Sequence, residues 1–245
     1  EARTRLRALP GQLSDVFTAE QLDFARAIEQ FCAENCGSAE QRSELTHGGT
    51  LSNSPELLLR LADLGWLGVS LPAEYGGGGA GMVEECIFLE ETARGLAPIH
   101  AYGTGLTAAQ TYLRHGTEVQ KKEVLSNLCS GRFEAIALSE PGAGSDLGSV
   151  RTRAVRDGDR FVVNGQKIWI TAAHLADHLL VLTRTSAEGS KHQGLTLMYL
   201  TTDTPGLDIK PIITMDGHTV NEVFFTDVSV PAANVVGGVG DAWHR

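Results

Sequence analysis

No apolar run in this sequence approaches the roughly 18 to 20 residues that a membrane-spanning helix needs. The N-terminal stretch EARTRLRALPGQL also lacks the apolar core of a secretory signal. Neither a membrane span nor a secretory signal is expected. Arg3, Arg5 and Arg7 would suit a transit peptide, but Glu1 and the brevity of the stretch favour a loose N-terminal arm over residues 1–15. Positive charge is scarce: 20 Lys and Arg stand against 30 Asp and Glu, a formal net charge of −10. Binding a nucleic-acid backbone needs clustered cations that replace counterions, so no nucleic-acid partner is expected. Cysteine occurs four times, as Cys32, Cys36, Cys86 and Cys129. Cys32 and Cys36 would share one helix face, yet no His or Cys pair at a suitable spacing completes a zinc site, so no metal is expected. Free thiols point to a reducing compartment, the cytoplasm, or the mitochondrial matrix in a eukaryote.

The remaining composition, 42% hydrophobic and 20% charged over 245 residues, is that of a soluble globular chain with one large or two modest domains. The first half reads as helices. Thr18-Ala19-Glu20-Gln21 is a capping-box pattern opening a helix with Leu22, Ala25, Ile28 and Cys32 on one side, running to about Asn35. Ser54-Pro55 offers an N-cap and a proline at the first helical position, with Leu57, Leu58, Leu61 and Leu64 as the buried stripe before Gly65. Met82 to Arg94 is a third helix; Val83, Cys86, Ile87 and Leu89 cross both faces, which predicts burial between other helices. Gly103 to His115 is a fourth, and Thr117-Glu118-Val119-Gln120 opens a fifth that ends near Gly131.

From Arg132 the signals are those of strands. Val150 to Val155 is followed by an Asp157-Gly158-Asp159 hairpin turn, and Arg160 to Val163 leads into Asn164-Gly165, a strong two-residue turn signal. Lys167 to Thr171, Leu179 to Thr185, Leu195 to Leu200, Ile209 to Ile213 and Glu222 to Val228 follow as strands. Seven or eight short strands predict a mostly antiparallel barrel or sandwich. The fold class is therefore α+β: a helical domain over 16–131, then an antiparallel β-barrel domain over 132–240.

Between these halves, ALSEPGAGSDLGS turns an apolar run into Ser139-Glu140-Pro141 and then Gly142-Ala143-Gly144-Ser145-Asp146. Two glycines and few side chains leave backbone N–H groups free to converge on an anion, although the same pattern also serves as an ordinary turn. No helix follows to lend its N-terminus, so this is not a Rossmann loop. About 20 residues on stands NGQKIWITAA, and near the end NEVFFTDVSVPAANVVG. Together these three ordered segments resemble the acyl-CoA dehydrogenase family, over nearly the whole chain from about Val16.

The resemblance implies FAD as cofactor. Leu138 and Ser139 match positions bonding the polar edge of the flavin, Gly144 and Ser145 those approaching the pyrophosphate, Trp169 and Ile170 those beside the ring, and Thr171 the hydroxyl at N5. Ser145 is also a candidate substrate contact. A tryptophan in a strand, taken by itself, is more often a core residue than a cofactor platform; the motif reverses that preference. The implied reaction is α,β-dehydrogenation of an acyl-CoA: a carboxylate takes the α-proton while hydride leaves the β-carbon for N5. The family's glutamate base comes from a C-terminal helical domain, and residues 241–245 would be only its beginning. The catalytic base is thus expected outside this chain; Glu90, Glu91 and Glu140 read as surface or structural groups. An electron-transfer flavoprotein as acceptor and a homo- or hetero-oligomer are implied. The alternatives are an acyl-CoA oxidase, a flavin monooxygenase of the same fold, or a non-catalytic acyl-CoA-binding or regulatory subunit. Met215-Asp216-Gly217-His218 departs from the usual basic and small residues and points to bulky acyl groups. The loop Ser186 to Gly194, with Lys191 and His192, is placed for the CoA nucleotide or is an exposed polar turn.

Overall fold

The computed structural model describes residues 17–132, 134–215 and 218–244. The expected arm over 1–15, and Asp216 and Gly217 of the atypical segment, lie outside the described residues. Six helices are described: α1 (Ala19–Cys36), α2 (Ala39–Leu45), α3 (Pro55–Asp63), α4 (Met82–Arg94), α5 (Tyr102–His115) and α6 (Glu118–Cys129). The capping boxes form as their spacing predicts. The Gln21 N–H donates to Thr18 Oγ1 at 3.2 Å while Gln21 Oε1 accepts from the Thr18 N–H at 2.9 Å, and Thr117 and Gln120 repeat the pattern on α6. The helix α2, not anticipated, starts on a third such box made by Ser38 and Gln41.

Two expectations about burial need correcting. Leu64 does not extend the α3 stripe: it caps the helix and is half-exposed, while Leu57, Leu58 and Leu61 are buried. Likewise α4 buries one face, through Glu85, Ile87, Phe88 and Thr92, and leaves Met82, Val83, Cys86 and Leu89 exposed. Apolar residues on both faces of a helix do not by themselves produce neighbours on both sides. The glycine loop after Tyr75 is tightly packed: its Gly78, Gly79 and Ala80 N–H groups bond Gly68, Leu71 and Val69 carbonyls. A Cβ on Gly77 would lie 2.2 Å from the Leu71 carbonyl oxygen.

Eight strands follow: β1 (Glu134–Ala137), β2 (Arg153–Asp157), β3 (Arg160–Thr171), β4 (His178–Arg184), β5 (Leu195–Thr201), β6 (Leu207–Ile213), β7 (Thr219–Pro231) and β8 (Val235–Val236). They form one sheet in the order β6-β7-β3-β2-β4-β5-β8, antiparallel except that β1 lies parallel to β4 and β2 meets β4 in parallel at a single residue pair. The helical and antiparallel β parts are as expected, but β6 and β8 do not pair, so the sheet is open rather than a closed barrel. Inside the sheet one edge of β4 is forked: its first half pairs with β1 and its last residue with β2.

Asn164-Gly165 is not a turn. The chain runs straight through it as β3, with a bulge against β7 between Val163 and Gly165. The Asn164 amide donates to Asp227 Oδ1 at 3.0 Å and accepts from the Asp227 N–H at 2.9 Å, fixing the bulge from across the sheet. Gly165 has φ +155° and approaches β2 so closely that a Cβ would lie 2.5 Å from Thr152 Oγ1. The β2 strand also starts three residues later than expected: a short 3₁₀ turn over Leu147–Ser149 precedes it, and the Arg151 and Thr152 N–H groups bond the Glu140 carboxylate instead of a neighbouring strand.

Helices and sheet share a continuous core running from Leu57, Leu61, Phe88 and Tyr102 to Ala135, Val181 and Val223. A polar seam joins α5 and α6 to β1, β4 and β5. Tyr112 O–H donates to Glu134 Oε1 at 2.5 Å, Tyr199 O–H donates to Glu123 Oε2 at 3.2 Å, and His178 Nε2 lies 3.3 Å from Glu123 Oε1. Burial pushes the Glu134 carboxyl up to about 8, with the Tyr112 hydrogen bond opposing that rise and Glu123 adding to it.

Candidate functional site

The site is assembled where the loop after β1 meets the middle of β3. The β1 strand ends at Ala137, and the chain then closes a tight turn in which Glu140 and Ala143 exchange backbone hydrogen bonds at 2.9 and 3.0 Å. Proline and glycine at its two central positions suit that turn. The Ile168 N–H donates to the Ser139 carbonyl at 3.0 Å, which sets Ser139 beside the residue preceding Trp169.

In β3 the buried positions alternate as Phe161, Val163 and Lys167 and then shift phase to Ile170. A second irregularity against β7, between Lys167 and Ile170, causes the shift. At its centre Trp169 adopts a left-handed backbone, φ +63°, and its side chain is 60% exposed. A bulky residue in that conformation is strained by about 1–3 kcal/mol and persists only where its surroundings hold it. Asn221, wholly buried on β7, donates to the Ile170 carbonyl at 2.9 Å and supports the bulge from one side. Lys167 supports it from the other.

Lys167 is fully buried; its ammonium donates to the Leu138 carbonyl at 2.8 Å and to Glu140 Oε1 at 2.9 Å. Glu140 in turn accepts the Thr152 N–H at 2.8 Å and the Arg151 N–H at 2.6 Å. Burial alone would raise the Glu140 carboxyl, but the Lys167 charge and these hydrogen bonds outweigh it and hold the group below its ordinary range. The same burial pushes Lys167 down to about 8 against the attraction of Glu140. Burial opposes the charge on both partners, and each is the other's counterion.

Around this anchor, the positions singled out from the sequence divide clearly. Ser139, Ser145 and Thr171 make no side-chain hydrogen bond to any described residue, so three hydroxyls stand ready for a ligand. Gly142 and Gly144 have open space where a Cβ would point. Trp169 presents its indole outward. Ile170, by contrast, is in the core with 2% exposure, and its carbonyl is already bonded by Asn221, so it acts as support. The Leu138 carbonyl is likewise taken by Lys167. An exposed flat ring, free hydroxyls and a loop left open at Gly142 and Gly144 fit a flavin with its phosphates.

Glu140 has both oxygens engaged and cannot serve as a general base. Glu90 is on the surface of α4, paired with Arg94 at 2.5 Å, and Glu91 lies 3.7 Å from the same guanidinium. At the far end of the loop, Lys191 bonds Asp146 at 2.8 and 2.9 Å, and with Ser149 holds that carboxyl below its ordinary range. Beside it runs a groove of about 560 Å³ lined by Arg151, Arg153, Arg156, Arg184 and Lys191 and by no carboxylate. Arg184 is spent on structure, donating to the carbonyls of Gly148, Val150, Ser186, Lys191 and Gln193. Among the described residues no cluster of three His, Cys, Asp or Glu side chains could hold a metal, and no helix is long and apolar enough to cross a membrane.

Sequence reasoning missed the roles of Lys167 and Asn221. Lys167 was legible in principle: it continues the alternation of Phe161 and Val163, and a charge on the inward face of a strand demands a partner. Asn221 carried no such signal.

Comparison with known proteins agrees with this geometry. Residues 18–132 match the acyl-CoA dehydrogenase N-terminal domain and residues 135–228 the acyl-CoA dehydrogenase middle domain. Acyl-CoA dehydrogenase FadE29 of Mycobacterium tuberculosis is 39% identical over 229 residues, which cover 93% of this chain and 59% of that protein. Among solved structures, the Tcur3481-Tcur3483 steroid ACAD superposes with a TM-score of 0.84 at 34% identity, over 93% of this chain and 59% of that one. The ChsE4-ChsE5 complex of Mycobacterium tuberculosis gives 0.81 at 34% identity, over 93% and 58%. The chain thus spans somewhat over half the length of the relatives it matches, and it belongs to the acyl-CoA dehydrogenase family.

Proposed function

We propose that this chain is the flavin-holding part of an enzyme that dehydrogenates an acyl-CoA between its α- and β-carbons. The observation that carries the reading is the seam between loop and bulge: free hydroxyls at Ser139, Ser145 and Thr171, open Gly144, and an outward Trp169 held in a strained conformation. Ser139 offers a hydroxyl to the polar edge of the ring, and Trp169 packs beside it. Gly144 and Ser145 bring backbone and hydroxyl to the phosphates without a basic side chain. Thr171 presents its hydroxyl to the reacting nitrogen. Bound there, FAD supplies the acceptor for the hydride that leaves the β-carbon.

The α-proton needs a carboxylate, and Glu90, Glu91 and Glu140 are engaged elsewhere, so the base is assigned to a segment outside the 245 residues or to a partner chain. The cation-lined groove beside Lys191 and the loop Ser186 to Gly194 takes the phosphates of the CoA nucleotide, and Ser145 is a further candidate substrate contact. A bulky, ring-bearing acyl group is favoured by the departure at Met215 to His218 and by the steroid ACAD similarity. Assembly with like or unlike subunits is supported by the likeness to a two-component complex, and an electron-transfer flavoprotein is the proposed acceptor.

The test is the visible spectrum of the purified chain with FAD, followed by anaerobic addition of acyl-CoAs. Bound flavin that stays oxidised until a C-terminal helical segment or partner is added supports the reading. Rapid reoxidation by air of the completed enzyme would instead favour an oxidase or monooxygenase, and absence of flavin binding would favour a non-catalytic acyl-CoA-binding subunit.

A further inference from the structure

We infer that Lys167 and Glu140 form the positioning element of this site: without touching the flavin, they lock the Ser139 loop onto the Trp169 bulge in the one arrangement that grips it. The inference rests on the flavin reading above and adds residues to it.

Three hydrogen bonds join residues 138–146 to β3 among the described residues. Two of them, to the Leu138 carbonyl and Glu140 Oε1, come from the Lys167 ammonium, and the third is the Ile168 N–H to the Ser139 carbonyl. Glu140 extends the lock to a third segment through the Arg151 and Thr152 N–H groups. The buried Lys167 ammonium, bonding the residues on either side of Ser139, and the Ile168 N–H together fix where Ser139 stands relative to Trp169, two residues along the strand from Lys167. Burying such a pair is a poor route to stability, because apolar groups of similar size commonly serve as well or better. What an ion pair with four directed hydrogen bonds supplies is geometry, and a ligand-binding constellation loses affinity when its supports loosen.

The test uses FAD affinity, read by quenching of flavin fluorescence, together with the melting temperature of the FAD-free chain. Lys167→Met strands the Glu140 carboxylate and lowers both. Adding Glu140→Gln removes that buried charge, so the double variant recovers melting temperature yet still binds FAD about tenfold to a hundredfold more weakly than wild type. Lys167→Arg keeps the charge and recovers part of the affinity.

A second readout is pH. Glu140 is the one charged group facing Lys167 among the described residues. As pH rises through about 8 the ammonium discharges and FAD affinity falls. Because the folded lysine sits below its ordinary value of 10.5, folding releases a proton between those limits, and this group makes stability rise, not fall, with pH there. Opposite slopes for affinity and stability are expected of a positioning role and not of a purely structural one. Wild-type affinity in the double variant, or in Lys167→Met, would overturn the inference while leaving the flavin reading intact. A wild-type chain that binds no FAD would overturn both.

Discussion

Glu134 opens β1 and Glu140 follows its end, and both are almost wholly buried, yet their surroundings hold them in opposite charge states. Glu140 faces a lysine and two backbone N–H groups and is held ionised. Glu134 faces the Tyr112 hydroxyl, the like charge of Glu123 lies nearby, and Glu134 Oε2 has no hydrogen-bond partner among the described residues. With its carboxyl raised to about 8, it is mostly neutral at physiological pH. One end of a four-residue strand is thus a neutral seam that joins layers, and the other is a charged lock that places a site. Burial by itself does not decide whether a carboxyl serves stability or position; the counterion does.

Of the two carboxyls, Glu140 is the one whose loss costs most. Glu140→Leu leaves Lys167 buried without a counterion and two N–H groups without acceptors, and is expected to destabilise the chain by about 3–5 kcal/mol, read from the urea midpoint. A change below about 1 kcal/mol would place the pair with ordinary surface ion pairs.

At the other end the expected sign is reversed. A folded carboxyl at about 8 against an ordinary 4.5 holds a proton that the unfolded chain has lost, so stability is greatest below about 4.5 and declines as pH rises toward 8. Glu134→Gln mimics the neutral acid: it should be close to neutral at pH 4.5 and stabilise the chain by about 1–3 kcal/mol at pH 8. Parallel stability profiles for variant and wild type across that range would show that Glu134 is not the titrating group.

The smallest effect sharpens the contrast between seam and site. Trp169→Gly removes a bulky side chain from a left-handed position and should raise the stability of the FAD-free chain by about 1 kcal/mol while weakening flavin binding. Calorimetry with and without FAD checks both halves. A loss of stability would mean that the exposed indole contributes packing beyond what the structure shows.

Much of this architecture was legible along the chain. Thr18 with Gln21 and Thr117 with Gln120 mark helix starts because a capping box is closed within four residues. The hairpin at Gly158-Asp159 was equally local. Asn164-Gly165 misled for the complementary reason: its turn signal is local, but Asp227, 63 residues away, turns it into a bulge. The motif residues Ser139, Ser145, Trp169 and Thr171 were found by their order along the chain, while their availability, free hydroxyls and an exposed ring, was not written there.

What the sequence determined by itself is therefore what neighbours in sequence can enforce: helix starts, strand alternation, the β2–β3 hairpin and the identity of the site loop. Tertiary structure alone decided the parallel pairing of β1 with β4, the phase shift that turns Trp169 outward, and the partner of Lys167, 27 residues distant at Glu140. The reason is physical. A buried charge and a left-handed tryptophan are each unfavourable locally, and they persist only because distant segments, once packed, supply the counterion and the hydrogen bonds that hold them.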